Sequence, residues 1–238
     1  MKLAKILTAL TVVAGLGLTA AAQAGSHGKA KPVGITPTMV SVTVKHRGHD
    51  VKIERNQNNK AVVIPAFAKT SRPCPPFCIQ PISLGGGVQT IGEVEVINYA
   101  KKMSDGDDSI LIVDSRTPDW VAKGTIPSAV NVSWVELTPK KGATTEGIMN
   151  VMTKQFGVKL KAGKDDVDVD EAIAAGNTSS VFDFSGAKTL VMFCNGMWCG
   201  QSPASIAALK KFGYPTNKIK YYRGGMQDWA ILGLTTVK

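Results

Sequence analysis

The chain has 238 residues, 28 Lys and Arg against 18 Asp and Glu, a net charge of +10, and 44% hydrophobic residues. The basic residues are spread out, with no Arg-rich block and little aromatic interleaving, which argues against a nucleic-acid partner. A modest positive field favours small anions or an anionic surface instead.

In chain order, Lys2 and Lys5 precede an apolar run from Ile6 to Ala22, followed by Ala22-Gln23-Ala24. A charged start, an apolar middle and a small-residue cleavage site describe a secretory signal peptide over 1–24. The run is rich in Ala, Gly and Thr and short for a span, so no stable membrane span is expected after processing. Removing two lysines and no acids lowers the net charge to +8. The expected location is periplasmic or secreted, where disulfides persist. Four cysteines follow the cleavage site: Cys74, Cys78, Cys194 and Cys199. They allow three pairings, and sequence alone does not choose among them.

Residues 25–37 are rich in Gly, Pro and Lys and read as a flexible lead-in. Apolar and polar residues then alternate on both sides of "HRGHD", which predicts a β-hairpin with a Gly-containing turn. "AVVIPAF" reads as a short edge strand, because Pro65 blocks ladder pairing. "SRPCPPFCIQP" is stiff and extended, and "LGGGVQ" marks a boundary near 85–87. Residues 25–87 therefore form an N-terminal appendage. Cys74 and Cys78 read as a disulfide stapling it, with a metal or iron–sulfur site as the competing reading.

From residue 88 the rhythm changes. "TIGEVEVINYAKKM" predicts a helix, "SILIVDS" a buried strand, "TPDWVAKG" a short helix and "SAVNVSW" a strand. "TEGIMNVMTKQF" has helical spacing. "AKTLVMFC" is continuously apolar, as in a parallel strand buried on both faces. "PASIAALKKFG", "KIKYY" and "MQDWAIL" read as helix, strand and helix. Strands alternating with helices argue for an open α/β domain with a parallel sheet.

Three of these segments resemble rhodanese-like domains. "LIVDSRTPDWVAKGTIPSAVNVSW" is similar to their first signature, "LVMFCNGMWCGQSPASIAALKKFGY" to their second, and "IKYYRGGMQDWAILGL" to their closing segment. The resemblance runs in order over about 90–238 and implies a doubly wound parallel sheet with helices on both faces. It implies sulfur transfer through a cysteine persulfide, with Cys194, at the end of the strand, as the carrier. The chain departs from the common pattern in three ways. Gln201 stands where an arginine often sits. The loop from Cys194 is longer and holds a second cysteine, Cys199. An insertion covers about 135–187. "RPCPPFCIQP" resembles a segment that accompanies this long-loop subtype in exported bacterial proteins.

The residues fit that chemistry. A thiolate is the nucleophile, and a helix N-terminus lowers a thiol's pKa. Ser202 is expected as N-cap and Pro203 as the first helical residue. Gly196 and Gly200 let the loop backbone curve so that amides converge on an anion. The expected cradle is Asn195, Gly196, Met197, Trp198 and Gly200, with Gln201 or Arg223 positioning the anion. Cys199 reads as a resolving thiol, as half of a permanent disulfide, or as the nucleophile itself.

Other chemistries fit less well. A phosphatase or arsenate reductase needs Cys-x5-Arg. Gly200 and Ser205 stand at that spacing from the two cysteines, and no arginine lies between Arg116 and Arg223. A Cys–His hydrolase needs a base, and His27, His46 and His49 all precede the α/β domain. "HRGH" reads as a solvated hairpin tip. "DDVDVDE" reads as a solvated acidic loop, because Glu171 and Asn177 stand where a calcium loop needs Gly and Glu. Asp114 and Arg116 are expected to brace the fold, and Trp120 and Trp229 to pack in the core.

The expected function is transfer of sulfane sulfur from a donor such as thiosulfate to a thiophilic acceptor, with no cofactor and no metal. Two other classes remain: a thiol–disulfide exchanger using Cys194 and Cys199, and a non-catalytic binding module. The expected partners are a small anionic sulfur donor, a thiol acceptor and a periplasmic protein docking on the appendage.

Overall fold

A computed structural model describes residues 31–238. The expected signal peptide lies outside the described residues. Strands β1 (Ser41–His46) and β2 (His49–Glu54) form the antiparallel hairpin. Its turn is Arg47-Gly48, both at positive φ (49° and 81°), the primed-turn geometry that matches strand twist. A four-residue helix, α1 (Pro65–Ala68), follows.

Then come β3 (Gln89–Ile91), α2 (Glu93–Ser104), β4 (Ile110–Asp114), α3 (Pro118–Val121) and β5 (Val130–Asn131). Between β5 and the next strand of the main sheet lie α4 (Trp134–Leu137), α5 (Thr145–Lys154), β6 (Lys159–Leu160), α6 (Asp166–Ala174) and β7 (Phe182–Asp183). The chain ends with β8 (Thr189–Phe193), α7 (Gln201–Lys211), β9 (Ile219–Tyr222) and α8 (Gly225–Ile231).

The main sheet has five parallel strands in the order β3-β9-β8-β4-β5. β8 is central, and the two-residue period of a strand explains its apolar run. Leu190 and Met192 enter one core, with Ile148, Val169, Ile206 and Leu209 of α5, α6 and α7. Val191 and Phe193 enter the other, with Val96 and Ile97 of α2 and Met226 and Trp229 of α8. Helices thus cover both faces, as the α/β pattern required. Val44 and Ile53 of the hairpin and Phe67 of α1 belong to that second core. Residues 32–238 form one compact unit. Among the described residues, no helix is long and apolar enough to cross a membrane.

Local expectations need correcting at four places. "AVVIPAF" forms α1 rather than a strand, because Pro65 suits the first helical position and Phe67 finds the core. Residues 89–91 are not helical; they add β3 beside β9, and α2 begins only after Gly92. The acidic run is the start of α6 rather than a loop. Asp165 accepts from the Val167 and Asp168 N–H groups, and carboxylates suit a helix N-terminus. The hairpin tip is only half solvated: His46 is buried, and its Nδ1 accepts from the Ser128 N–H (3.2 Å).

Asp114 and Arg116 do brace the fold. Both are buried, and the guanidinium donates to both Asp114 carboxylate oxygens and to the Gly124 carbonyl.

Candidate active site

β8 delivers Cys194 to the C-terminal edge of the sheet, where parallel α/β folds bind ligands. The loop to α7 is short and turns on itself: the Cys199 N–H donates to the Gly196 carbonyl (2.8 Å). The start of α8 supports it from below. The Met226 and Gln227 N–H groups donate to the Cys194 and Asn195 carbonyls (2.9 and 3.0 Å). This close approach requires glycine at 225. A Cβ there would lie 2.3 Å from the Cys194 carbonyl oxygen, and φ is +56°.

Neither loop cysteine is bridged, and both are buried. The Cys194 thiol lies 3.3 Å from the Cys199 carbonyl. Burial pushes the Cys194 thiol up. Neighbouring donors, the Cys199 thiol, the Ser202 N–H and hydroxyl and the Gly196 N–H, outweigh burial and bring it down to about 7. Cys199 moves the opposite way, because its proton is held by Cys194 and burial disfavours a second charge. Both shifts favour Cys194 over Cys199 as the thiolate.

Ser202 is not the N-cap. α7 starts at Gln201 with Gly200 as its cap, so Ser202 and Pro203 fall inside the first turn. The Ser202 hydroxyl is fully buried and has no hydrogen-bond partner among the described residues.

A cavity of about 530 Å³ opens over the loop. Its floor is Asn195, Cys199, Gly200 and Gln201. Phe77, Trp120, Trp134 and Trp198 give it aromatic walls. Arg72 and Lys141 add two cations, with no carboxylate among the lining residues. Neither cation forms an ion pair among the described residues. The Asn195 side-chain oxygen is buried without a partner.

The Pro-rich segment supplies one wall. Cys74 and Cys78 are bridged, with their Cα atoms 4.6 Å apart. Phe77 meets Trp198 edge-on at 5.6 Å, and the Arg72 guanidinium lies 4.0 Å from the Trp198 ring centre. The Gln80 N–H donates to the Met197 carbonyl (2.8 Å). Behind the loop, Trp198 Nε1 donates to the Gln227 side-chain oxygen (2.7 Å).

The sequence model of the rhodanese-like domain matches residues 96–232. The chain belongs to the rhodanese-like family. Such a domain supports a sulfurtransferase-type activity at the level of the family. No curated protein matches the chain. Among solved structures, a Bacillus halodurans protein is 12% identical, with 60% of this chain and 71% of that one covered and a TM-score of 0.37. A Rhodopseudomonas palustris protein of unknown function, described as a possible tyrosine phosphatase, is 15% identical. There 65% of this chain and 88% of that one are covered, with a TM-score of 0.37.

In this rhodanese-like chain, the cavity gathers Asn195, Trp198, Cys199, Gly200 and Gln201, whereas Cys194 and Gly196 do not line it. Met197 instead faces the outer side of the bridged segment, beside Cys74 and Cys78. Arg223, expected near the anion, does not line the cavity. Its Nε and Nη2 both donate to the Gln80 carbonyl (2.9 and 2.8 Å). Trp229 is core, but Trp120 is half-buried and lines the cavity, with Lys123 stacked on it at 4.3 Å. Sequence reasoning missed Arg72, Trp134 and Lys141. Only Arg72 carried a signal, as a neighbour of the Pro-rich cysteine pair. Among the described residues, no three His, Cys, Asp or Glu side chains cluster to hold a metal.

Proposed function

We propose that the chain is a sulfurtransferase that takes sulfane sulfur from a small anionic donor such as thiosulfate, carries it as a persulfide on Cys194, and passes it to a thiophilic acceptor. One observation carries this reading: Cys194 is a free, buried cysteine at the C-terminal end of the central strand of a rhodanese-like domain, where neighbouring donors lower its pKa. A lowered pKa raises the thiolate fraction near neutral pH, and the thiolate is the nucleophile.

Arg72 and Lys141 attract the anion to the cavity over the loop. The Cys194 thiolate attacks the outer sulfur of thiosulfate. The sulfur–sulfur bond of the donor breaks, and sulfite leaves with its electron pair. The negative charge passes to the outer sulfur of the new persulfide. A phosphatase reaction lacks support, since the loop from Cys194 to Gln201 holds no guanidinium to clamp a phosphoryl group. The Cys74–Cys78 bridge supports an exported protein that works in an oxidising compartment.

The test is the intact mass of the reduced protein after thiosulfate. A gain of one sulfur atom in Cys199→Ser, where the second loop thiol cannot discharge it, and its absence when Cys194 is also serine, is the expected result. A gain that survives in Cys194→Ser would assign the carrier elsewhere.

A further inference from the structure

Four features set Cys199 apart from an ordinary loop residue. It lines the cavity, whereas Cys194 does not. Its backbone carbonyl lies 3.3 Å from the Cys194 thiol, which sets the two cysteines against each other. Among the described residues, the thiol itself has one side-chain hydrogen-bond partner, the Gln201 oxygen at 3.6 Å. Both loop cysteines are free in a chain whose other two cysteines are bridged. A thiol acceptor entering through the cavity therefore meets Cys199 before it meets Cys194.

We propose that Cys199 resolves the Cys194 persulfide, so that the loop releases sulfide and closes a Cys194–Cys199 disulfide that an external dithiol then reduces. The proposal rests on Cys194 as the persulfide carrier. In the step, the Cys199 sulfur attacks the Cys194 sulfur, and a bond forms between them. The bond from Cys194 to the outer sulfur breaks. The outer sulfur takes the bonding electron pair and the Cys199 proton and departs as HS⁻. Charge is conserved, because one perthiolate is replaced by one hydrosulfide. The sulfane sulfur is reduced to sulfide, and the two cysteines are oxidised to the disulfide. Two thiol–disulfide exchanges with the external dithiol restore both thiols and leave that dithiol oxidised.

The geometry suits this exchange. In the resting loop the Cys199 proton stabilises the Cys194 thiolate. Once Cys194 carries the extra sulfur, the same proton lies beside the leaving group. Delivering it removes the obstacle that keeps Cys199 a poor nucleophile at rest, which is the charge on its neighbour. The turn closed by Cys199 N–H on the Gly196 carbonyl keeps the two sulfurs together throughout.

The experiment is a single turnover of the reduced full chain with one equivalent of thiosulfate and no added thiol. Trapped sulfide and quenched intact mass are read together. The wild type is expected to release about one equivalent of sulfide and to lose two hydrogens. Cys199→Ser is expected to keep the added sulfur atom and release none, and Cys199→Ala gives the same readout if serine disturbs packing. Adding a small dithiol is expected to turn the wild type over repeatedly. A wild type that retains the extra sulfur and releases no sulfide overturns the resolving role while leaving the carrier intact. If neither the wild type nor Cys199→Ser or Cys199→Ala ever gains sulfur, the carrier reading fails, and the resolving role fails with it.

Discussion

The guanidinium of Arg72 lies 4.0 Å from the ring centre of Trp198, so a segment before the sheet grips the cysteine loop within it. The same cation lines the cavity over Cys199. Arg72 thus has two effects: it holds the loop tryptophan, and it presents positive charge to an incoming anion. Arg72→Ala is expected to raise the KM for thiosulfate about fivefold, the equivalent of an exposed cation–π contact of about 1 kcal/mol. Steady-state kinetics at two ionic strengths separate the effects. The wild-type KM should rise with salt, because surface charge is screened, and the variant should lose most of that dependence. An unchanged KM at low salt would remove Arg72 from donor binding.

The Cys194–Cys199 contact makes a second prediction, read through pH. The Cys194 pKa is depressed to about 7, so its thiolate fraction rises through that value and levels off above it. The rate of alkylation by a small reagent such as iodoacetamide should follow the same curve. Cys199→Ala removes one of the donors that lower this pKa, so the inflection should move to higher pH. Cys199→Ser keeps a donor and should fall between the two. An inflection that stays put in Cys199→Ala would show that the Gly196 and Ser202 groups alone set the pKa.

Much of this site is legible because it is local. The apolar run ending on Cys194, the glycines of the loop and the Gly-Gly before Met226 all act within a few residues of where they stand. Their spacing encodes a strand edge, a turn and a close helix start. The helix start itself was misplaced, because Ser202 has the right chemistry for a cap. Its hydroxyl is instead buried near the Cys194 sulfur, and Gly200 takes the cap position.

The cavity walls are a different matter. Arg72 and Phe77 come from before the sheet, Trp120 from α3, and Trp134 and Lys141 from the segment after β5. No periodicity links segments that only tertiary packing brings together. Arg223 shows the limit most clearly. It does follow the strand beside β8, as expected, yet the Gln80 carbonyl takes its guanidinium. Nothing near Arg223 in sequence announces that partner.

The tight contact between Gly225 of the closing segment and the cysteine loop supports a third prediction. Gly225→Ala would place a Cβ 2.3 Å from the Cys194 carbonyl oxygen and 2.9 Å from the Gly196 nitrogen. Both are backbone atoms of the cysteine loop, so no side chain can swing away to relieve the clash. Gly142 is the useful control. It also has positive φ (95°), but nothing lies within 4 Å of its Cβ position. Gly142→Ala should cost only the left-handed backbone penalty, about 1–2 kcal/mol. Gly225→Ala should cost that and a further 1–3 kcal/mol, roughly, from overpacking. Urea unfolding measures the difference. Cys194 alkylation then locates it: the clash displaces the amides that stabilise the thiolate, so Gly225→Ala should shift the pH inflection upward while Gly142→Ala leaves it in place. Equal stability losses with unchanged Cys194 reactivity would mean that α8 can retreat from the loop without disturbing the sulfur.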